Sequence, residues 1–347
     1  MGKMSIKDIA RLAGTSSATV SRVLSGRTYV RPAVADRVRE VVTKQGFIMN
    51  SSASALARRR SPRHGIVHRT IALVFCGLKP SHLADVNTLL RPDLQAGIQE
   101  AAAELDLAVS TWFINQEQMT QGRFPSLLSR RQLDGILLKP MQGENADIFG
   151  EIAPCLLIGA RPEPQCKFPV VEVDNDAGIS ALMRHLHALG HRRFEFLTQH
   201  RPHVPFHERE VSFLEHVRMF KAEGRVFSAE TETYDDYARQ FRSRPAASRP
   251  TALVCASDFR AVQLIHDLHQ HGVRVPGDVS VTGFDGAGVG AAVFPPLTTW
   301  APHWQQVGRA SVKMLLELIA GREVPTRTLV GGELVIRKST APPHGGA

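Results

Sequence analysis

Cysteine is scarce, with four residues in 347: Cys76, Cys155, Cys166 and Cys255. None forms a C-x-x-C pair and their spacing fits no common zinc site, which excludes a disulfide scaffold and a cysteine-built metal centre. Buried, reduced thiols are expected. No apolar run approaches the length of a membrane span. The opening MGKMSIKDIA lacks the apolar stretch and cleavage site of a secretory signal, so a cytoplasmic chain with no membrane partner is expected. There is no G-x-G-x-x-G and no Walker loop, and Gly283-Phe284-Asp285-Gly286 alone is too slight to cradle phosphate. This leaves a nucleotide-using sugar enzyme without a motif, and no cofactor is expected. What the chain does have is 43% hydrophobic residues and enough length for two or three compact domains.

Positive charge is unevenly placed. Residues 1–70 carry 14 Lys/Arg and three Asp/Glu, a net charge of +11, while the remainder is close to neutral. A basic terminal module suits a polyanion and would release counterions on binding DNA.

That module has the pattern of short helices. Ser5-Ile6-Lys7-Asp8 reads as a capping box, and Ile6, Ile9, Ala10 and Ala13 share one helical face. Gly14 ends the helix because it tolerates the left-handed conformation. Ser16 caps a second helix whose inner face is Val20, Val23 and Leu24 and whose outer face presents Ser17, Ala18, Ser21 and Arg22. Two short helices joined by a tight turn form the helix-turn-helix plan, in which the second enters the major groove. Small residues permit close approach, and an arginine fork matches guanine O6 and N7. A third helix from Pro32, with Val34, Val38, Val41 and Val42 inward, ends at Gly46.

The strings IKDIARLAGTSSATVSRVLSG and GFIMNSSASALARRRS closely resemble the N-terminus of the lac-repressor (LacI/GalR) family. The resemblance continues through VDNDAGISALMRHLHALGHRRFEFL, RPTALVCASDFRAVQLIHDLHQHGVRVPGDVSVTGFD, PPLTTW and LVIRKSTAP. It implies that Ser16, Ser17, Ala18, Thr19, Ser21 and Arg22 contact the major groove. Asn50, Ala53 and Leu56 then belong to a hinge helix on the minor groove, with Leu56 as an apolar wedge. A ten-residue helix of this kind is marginal alone and should form on DNA. Arg58, Arg59 and Arg60 suit phosphates better than bases. Met49 stands where the family usually has proline, and Arg31 where it usually has a serine cap.

From Thr70 onward apolar strands alternate with helices, which implies parallel sheets covered on both faces. About a dozen elements exceed one sheet, so two α/β lobes are expected, with ligand at the carboxyl ends of the strands. The resemblance makes this a two-lobed core like that of periplasmic binding proteins. The expected division is 1–49 helix-turn-helix domain, 50–60 hinge helix, 69–165 with 303–328 as the N-terminal lobe, and 166–302 with 329–340 as the C-terminal lobe. By the same resemblance, Arg209 and Asp285 grip ligand hydroxyls or carboxylates, while Ser257 and Tyr234 line the cleft by hydrogen bonding and stacking. As ordinary residues, Arg209 would be one charge on a solvated helix face, Asp285 a turn residue, and Tyr234 plain core or surface.

The cleft departs from the family pattern. GLKPSHLADVN replaces the usual loop after the first core strand, Gly159-Ala160-Arg161 shifts a Gly-Arg step, Ser212 stands for glycine and Pro302 for glutamine. His82, Arg161, His203, His207 and Trp304 are further candidates that would suit an anionic ligand. His185, His187, His266, His269 and His271 show no acidic or cysteine partner in sequence and read as surface histidines, with no metal site expected.

The expected function is a sequence-specific transcriptional regulator, a repressor in its simplest form. It would act as a homodimer on a pseudo-palindromic operator, and a small molecule, carbohydrate in type, would shift its DNA affinity. After Ser339 no leucine heptad follows, so a dimer rather than a tetramer is expected. A secreted solute-binding protein is the remaining rival, and the basic N-terminal module argues against it.

Overall fold

A computed structural model describes residues 6–25, 30–44, 66–78, 91–120, 133–140, 147–161, 166–198, 204–228 and 233–343. The chain divides after residue 63 into two compact units.

The first unit holds α1 (Ile6–Leu12), α2 (Ser17–Ser25) and α3 (Pro32–Lys44). Gly14, at φ +61°, makes the turn after α1, and the Thr15 amide closes it on the Ala10 carbonyl at 2.9 Å. Ser16 Oγ accepts from the Thr19 amide at 3.1 Å, an N-cap that satisfies one of the orphan donors of α2. Ile9, Ala10, Ala13, Val20 and Val38 are buried together, with Val23, Val41 and Val42 against them. The carbonyl of Arg31, rather than a side-chain cap, takes the first amides of α3. Ser5, Gly46 and the hinge residues Asn50, Ala53 and Leu56 lie outside the described residues.

The second unit contains two six-stranded sheets. Its first part runs β1 (Thr70–Leu78), α4 (Pro92–Glu104), β2 (Ala108–Asn115), α5 (Gln116–Thr120), β3 (Gly135–Pro140), α6 (Asp147–Gly150), β4 (Cys155–Ile158) and β5 (Val170–Val173). The chain then crosses to α7 (Asn175–Ala188), β6 (Arg193–Thr198), α8 (Val204–Met219), β7 (Glu223–Ser228), α9 (Tyr234–Ser243), β8 (Ala252–Cys255), α10 (Asp258–Gln270), β9 (Ser280–Phe284), α11 (Val289–Ala292) and β10 (Thr298–Pro302). It returns through α12 (Trp304–Ile319) and β11 (Arg327–Val330), and crosses once more to β12 (Gly332–Val335).

The sheets have orders β11-β5-β4-β3-β1-β2 and β12-β10-β9-β8-β6-β7. Position for position the second repeats the first, so each lobe is one doubly wound unit whose order reverses between its first and third strands. Pairing is parallel throughout except for β12, which joins the edge of β10 antiparallel. β3, β4, β5, β8 and β9 are apolar runs covered on both faces, as parallel sheets require.

The lobe boundaries differ from those expected. Val170 and Val171 pair with Leu157 and Ile158, and Arg327–Val330 pair with Val170–Val173. All of β5, and β11 through Val330, therefore belong to the first lobe rather than the second. Strand pairing decides this: VVEV is buried on both faces and completes the first sheet. Two of the crossings fall at Asp174 and at Gly331, instead of at 165/166 and 328/329, and the third is at His303. β7 and α9 are two elements that the alternation of apolar segments did not reveal.

Helices α4 and α12 cross closely on the first lobe. A Cβ added to Gly308 would lie 2.8 Å from the Ile98 amide nitrogen and press on the Leu94 carbonyl. Neither atom belongs to a flexible side chain, so Gly308→Ala should destabilise the body by about 1–3 kcal/mol in urea unfolding. A variant as stable as wild type would show that the crossing tolerates a methyl group.

Candidate functional site

Both lobes present the carboxyl ends of their strands to the region between them. Lys139 lies near the end of β3, Gly159 follows β4, Arg91 precedes α4 and Trp304 opens α12. From the second lobe come Asn175 at the start of α7, Arg209 on α8, Ser257 after β8 and Asp285 after β9.

Arg209 is buried and held on several sides. Its Nε donates to Asn175 Oδ1 at 2.8 Å and its Nη1 to the Ala256 carbonyl at 2.5 Å, while Nη2 lies 3.5 Å from Asp285 Oδ1. The guanidinium covers Phe284 at 3.6 Å from the ring centroid. A buried charge needs such compensation.

Asp285 adopts φ 120°, a conformation that side-chain-bearing residues rarely take. Strain of this kind persists where its surroundings over-determine it. Its amide donates to the Trp300 carbonyl at 2.9 Å. Its own carbonyl accepts from Arg91 Nη2 at 2.6 Å and from Trp304 Nε1 at 3.3 Å, which ties the lobes together. Arg91 stacks 4.0 Å above the Trp304 ring, and Lys139 Nζ lies 5.8 Å from the same centroid. Burial first, and the nearby Arg91 second, pull the Lys139 ammonium down to a pKa of about 8, while Asp285 opposes them.

Beneath this layer Asp258 is fully buried, accepting from the Ala287 amide at 2.6 Å and from the Thr299 hydroxyl. Burial, then the Asp285 charge, raise its carboxyl to about 7. A carboxyl whose folded pKa exceeds its unfolded value contributes stability at low pH, and this is lost as pH rises from about 4 to about 7. Asp258→Asn has no proton to lose there. Relative to wild type it should gain roughly 3 kcal/mol between pH 5 and pH 8 in urea unfolding. An unchanged gap would show that Asp258 stays ionised.

A second polar chain runs beside the first. Glu208 accepts from Asn175 Nδ2 at 2.8 Å and from Arg327 Nη2 at 2.8 Å, and pairs with Arg161 at 3.5 Å. Arg327 also pairs with the fully buried Glu172, whose carboxyl burial pushes upward. The run Arg209–Asn175–Glu208–Arg327–Glu172 therefore links the site to both lobes.

Of the four expected ligand residues, Arg209 and Asp285 meet here, while Ser257, which follows the Ala256 carbonyl that Arg209 holds, is buried and caps α10 by accepting from the Arg260 amide at 3.5 Å. Tyr234 does not offer an open stacking face. It is buried among Leu197, Tyr237 and Cys255, with its hydroxyl unpartnered among the described residues. Of the further candidates, Arg161 and Trp304 are at the site, His207 is exposed, and His82 and His203 lie outside the described residues. Ser212 does not serve as a cleft residue; it donates to Asp176 at 2.6 Å and fixes α8 on α7. Sequence reasoning missed Arg91, Lys139, Asn175 and Asp258. A lysine near the end of the otherwise apolar GILLKP was the one legible signal.

In the first unit the outer side of α2 carries Arg22 and Ala18 exposed, with Ser17 and Thr19 half-buried. Nothing is described of the Ser21 side chain. A three-helix unit with an exposed second helix, followed in the chain by a two-lobed body with a charged interlobe site, defines a ligand-responsive helix-turn-helix regulator.

Comparison with known proteins agrees. Residues 5–50 match the model for bacterial regulatory proteins of the lacI family, and residues 183–340 match the periplasmic binding protein-like domain. The HTH-type transcriptional regulator reg1 of Streptomyces lividans is 29% identical, over 97% of this chain and 96% of its own. A lac repressor dimer bound to operator and the anti-inducer ONPF superposes with TM-score 0.76 at 21% identity, covering 98% of this chain and 100% of that one. The transcriptional regulator CelR in complex with cellobiose gives TM-score 0.66 at 22% identity, covering 97% and 99%. The chain belongs to the LacI family of transcriptional regulators.

Among the described residues, no helix is long and apolar enough to cross a membrane.

Proposed function

We propose that this regulator is a repressor that binds a two-fold symmetric operator as a homodimer and is switched by a small carbohydrate or carbohydrate derivative between its lobes. The exposed face of α2 carries this reading, because the capped helix presents Arg22 beside small residues on a packed three-helix core. Ser16, Ser17, Ala18, Thr19, Ser21 and Arg22 contact the major groove, and Asn50, Ala53 and Leu56 the minor groove. Arg209, Asp285 and Ser257 hold the ligand. The lac repressor neighbour, a dimer on its operator, and the CelR complex with cellobiose support this assignment.

Function follows by linkage. Three crossings, the polar chain through Glu208 and the Asp285 carbonyl's bonds to Arg91 and Trp304 join the lobes, so a ligand that prefers one lobe arrangement shifts the equilibrium by its differential affinity. The protein acts as a regulator and not as a catalyst. The test is operator affinity titrated with and without a ligand found by calorimetry. A change of about 5–150-fold, a coupling of about 1–3 kcal/mol, is expected. An identical affinity at saturating ligand would refute the switch.

A further inference from the structure

Among the described residues, positive charge exceeds negative charge where the lobes meet. Arg91 and Lys139 face the same Trp304 ring, and Arg209 lies across Asp285 from them. Asp285 is the carboxylate whose charge reaches Lys139, and it is already paired with Arg209. The next carboxylate, Asp258, is occupied by the Thr299 hydroxyl and the Ala287 amide. Among the described residues Lys139 has no hydrogen-bond acceptor. Its ammonium lies close to Gly159, where an added Cβ would come within 3.3 Å of Nζ.

Cations held away from water without counter-charge are costly, and a ligand anion removes that cost. A neutral polyol would satisfy hydrogen bonds but leave the charge uncompensated. An arginine fork beside an ammonium matches a carboxylate or a phosphate monoester.

We propose that the ligand of the interlobe site carries an anionic group, a carboxylate or a phosphate monoester, seated against Lys139 and Arg91 at the Trp304 face. This rests on the reading of the body as an effector sensor and adds the chemical class of the effector. The lowered pKa of Lys139 fits a site completed by an anion, which would draw that value back up.

The experiment is titration calorimetry of the full chain with matched probes. Glucose, galactose and cellobiose form the neutral set; glucuronate, galacturonate and gluconate the carboxylate set; glucose 6-phosphate, galactose 1-phosphate and inorganic phosphate the phosphate set. Trp304 fluorescence, isolated by difference from Trp304→Phe, reports occupancy of this face. At least one anionic probe should bind tenfold or more tightly than its neutral parent and perturb Trp304. Lys139→Gln should remove that advantage and Lys139→Arg should keep most of it, with circular dichroism confirming that both variants fold. The set that binds distinguishes carboxylate from phosphate.

Three results overturn the proposal: neutral parents binding as tightly as the anions, an anionic advantage that survives both Lys139→Gln and Arg91→Gln, or no response to any anion. Operator affinity of the same ligand-free samples separates the two levels. If it is intact, these results remove the anion assignment alone; if it is absent, the regulator reading itself fails.

Discussion

Arg209→Met should destabilise the second unit by about 3–5 kcal/mol, the cost of leaving a buried charge partner uncompensated. The substitution strips Asn175 Oδ1 and the Ala256 carbonyl of their donor and leaves Asp285 facing Phe284 without a cation. Urea unfolding of the full chain, followed by a signal from the body, measures it. Asp285→Asn in the same chain should recover part of the loss, because the amide no longer needs a counter-charge. The cycle then gives a coupling beyond additivity. The three-helix unit lies in a separate compact unit, so ligand-free operator affinity should be retained while the response to ligand disappears. If Arg209→Met unfolds like wild type, the guanidinium is not the keystone of this site.

The second large effect falls on DNA. Arg22→Ala should lower affinity for the selected operator by about 1–3 kcal/mol, roughly 5–150-fold, and relax preference at one base position. A phosphate contact behaves differently: its loss weakens all sequences alike and shallows the salt dependence by about one unit. Binding measured on the operator, on single-base variants and on random duplex separates the two. An equal loss on every duplex would move Arg22 from reading bases to holding the backbone.

Most of the architecture was legible because periodicity carries it. The α1–α2 turn is set by Gly14 and Ser16, and both act as their chemistry requires. The double-winding could be read from apolar runs such as CLLI and ALVC. The lobe boundaries could not, because β5 and β11 join the first sheet by pairing between residues 157 apart in the chain, which no local pattern encodes. β7 escaped because its exposed edge reads EGRVFS, half polar, and α9 because its helical face follows a capping box at Thr233 and Asp236 rather than an apolar run.

The site was partly visible for the same reason. Asp285 and Ser257 lie in a string that the family resemblance picks out, and Arg209 was matched to the family as a single position four residues before Phe213. Arg91, Lys139, Asn175 and Asp258 become functional through the meeting of two lobes. Tyr234 shows the reverse error: an aromatic at a family position whose ring is committed to the core beside Cys255 and Tyr237.

The most direct measurement is selection from a random duplex pool by the full chain, with and without a pool of sugars and sugar acids, followed by affinity for the winner against salt. The account predicts enrichment of a two-fold symmetric site, a steep salt dependence, and loss on Arg22→Ala or Leu56→Ala. Failure to enrich any sequence under either condition, with the protein folded, would contradict it and leave the two-lobed body as a binding protein without an operator.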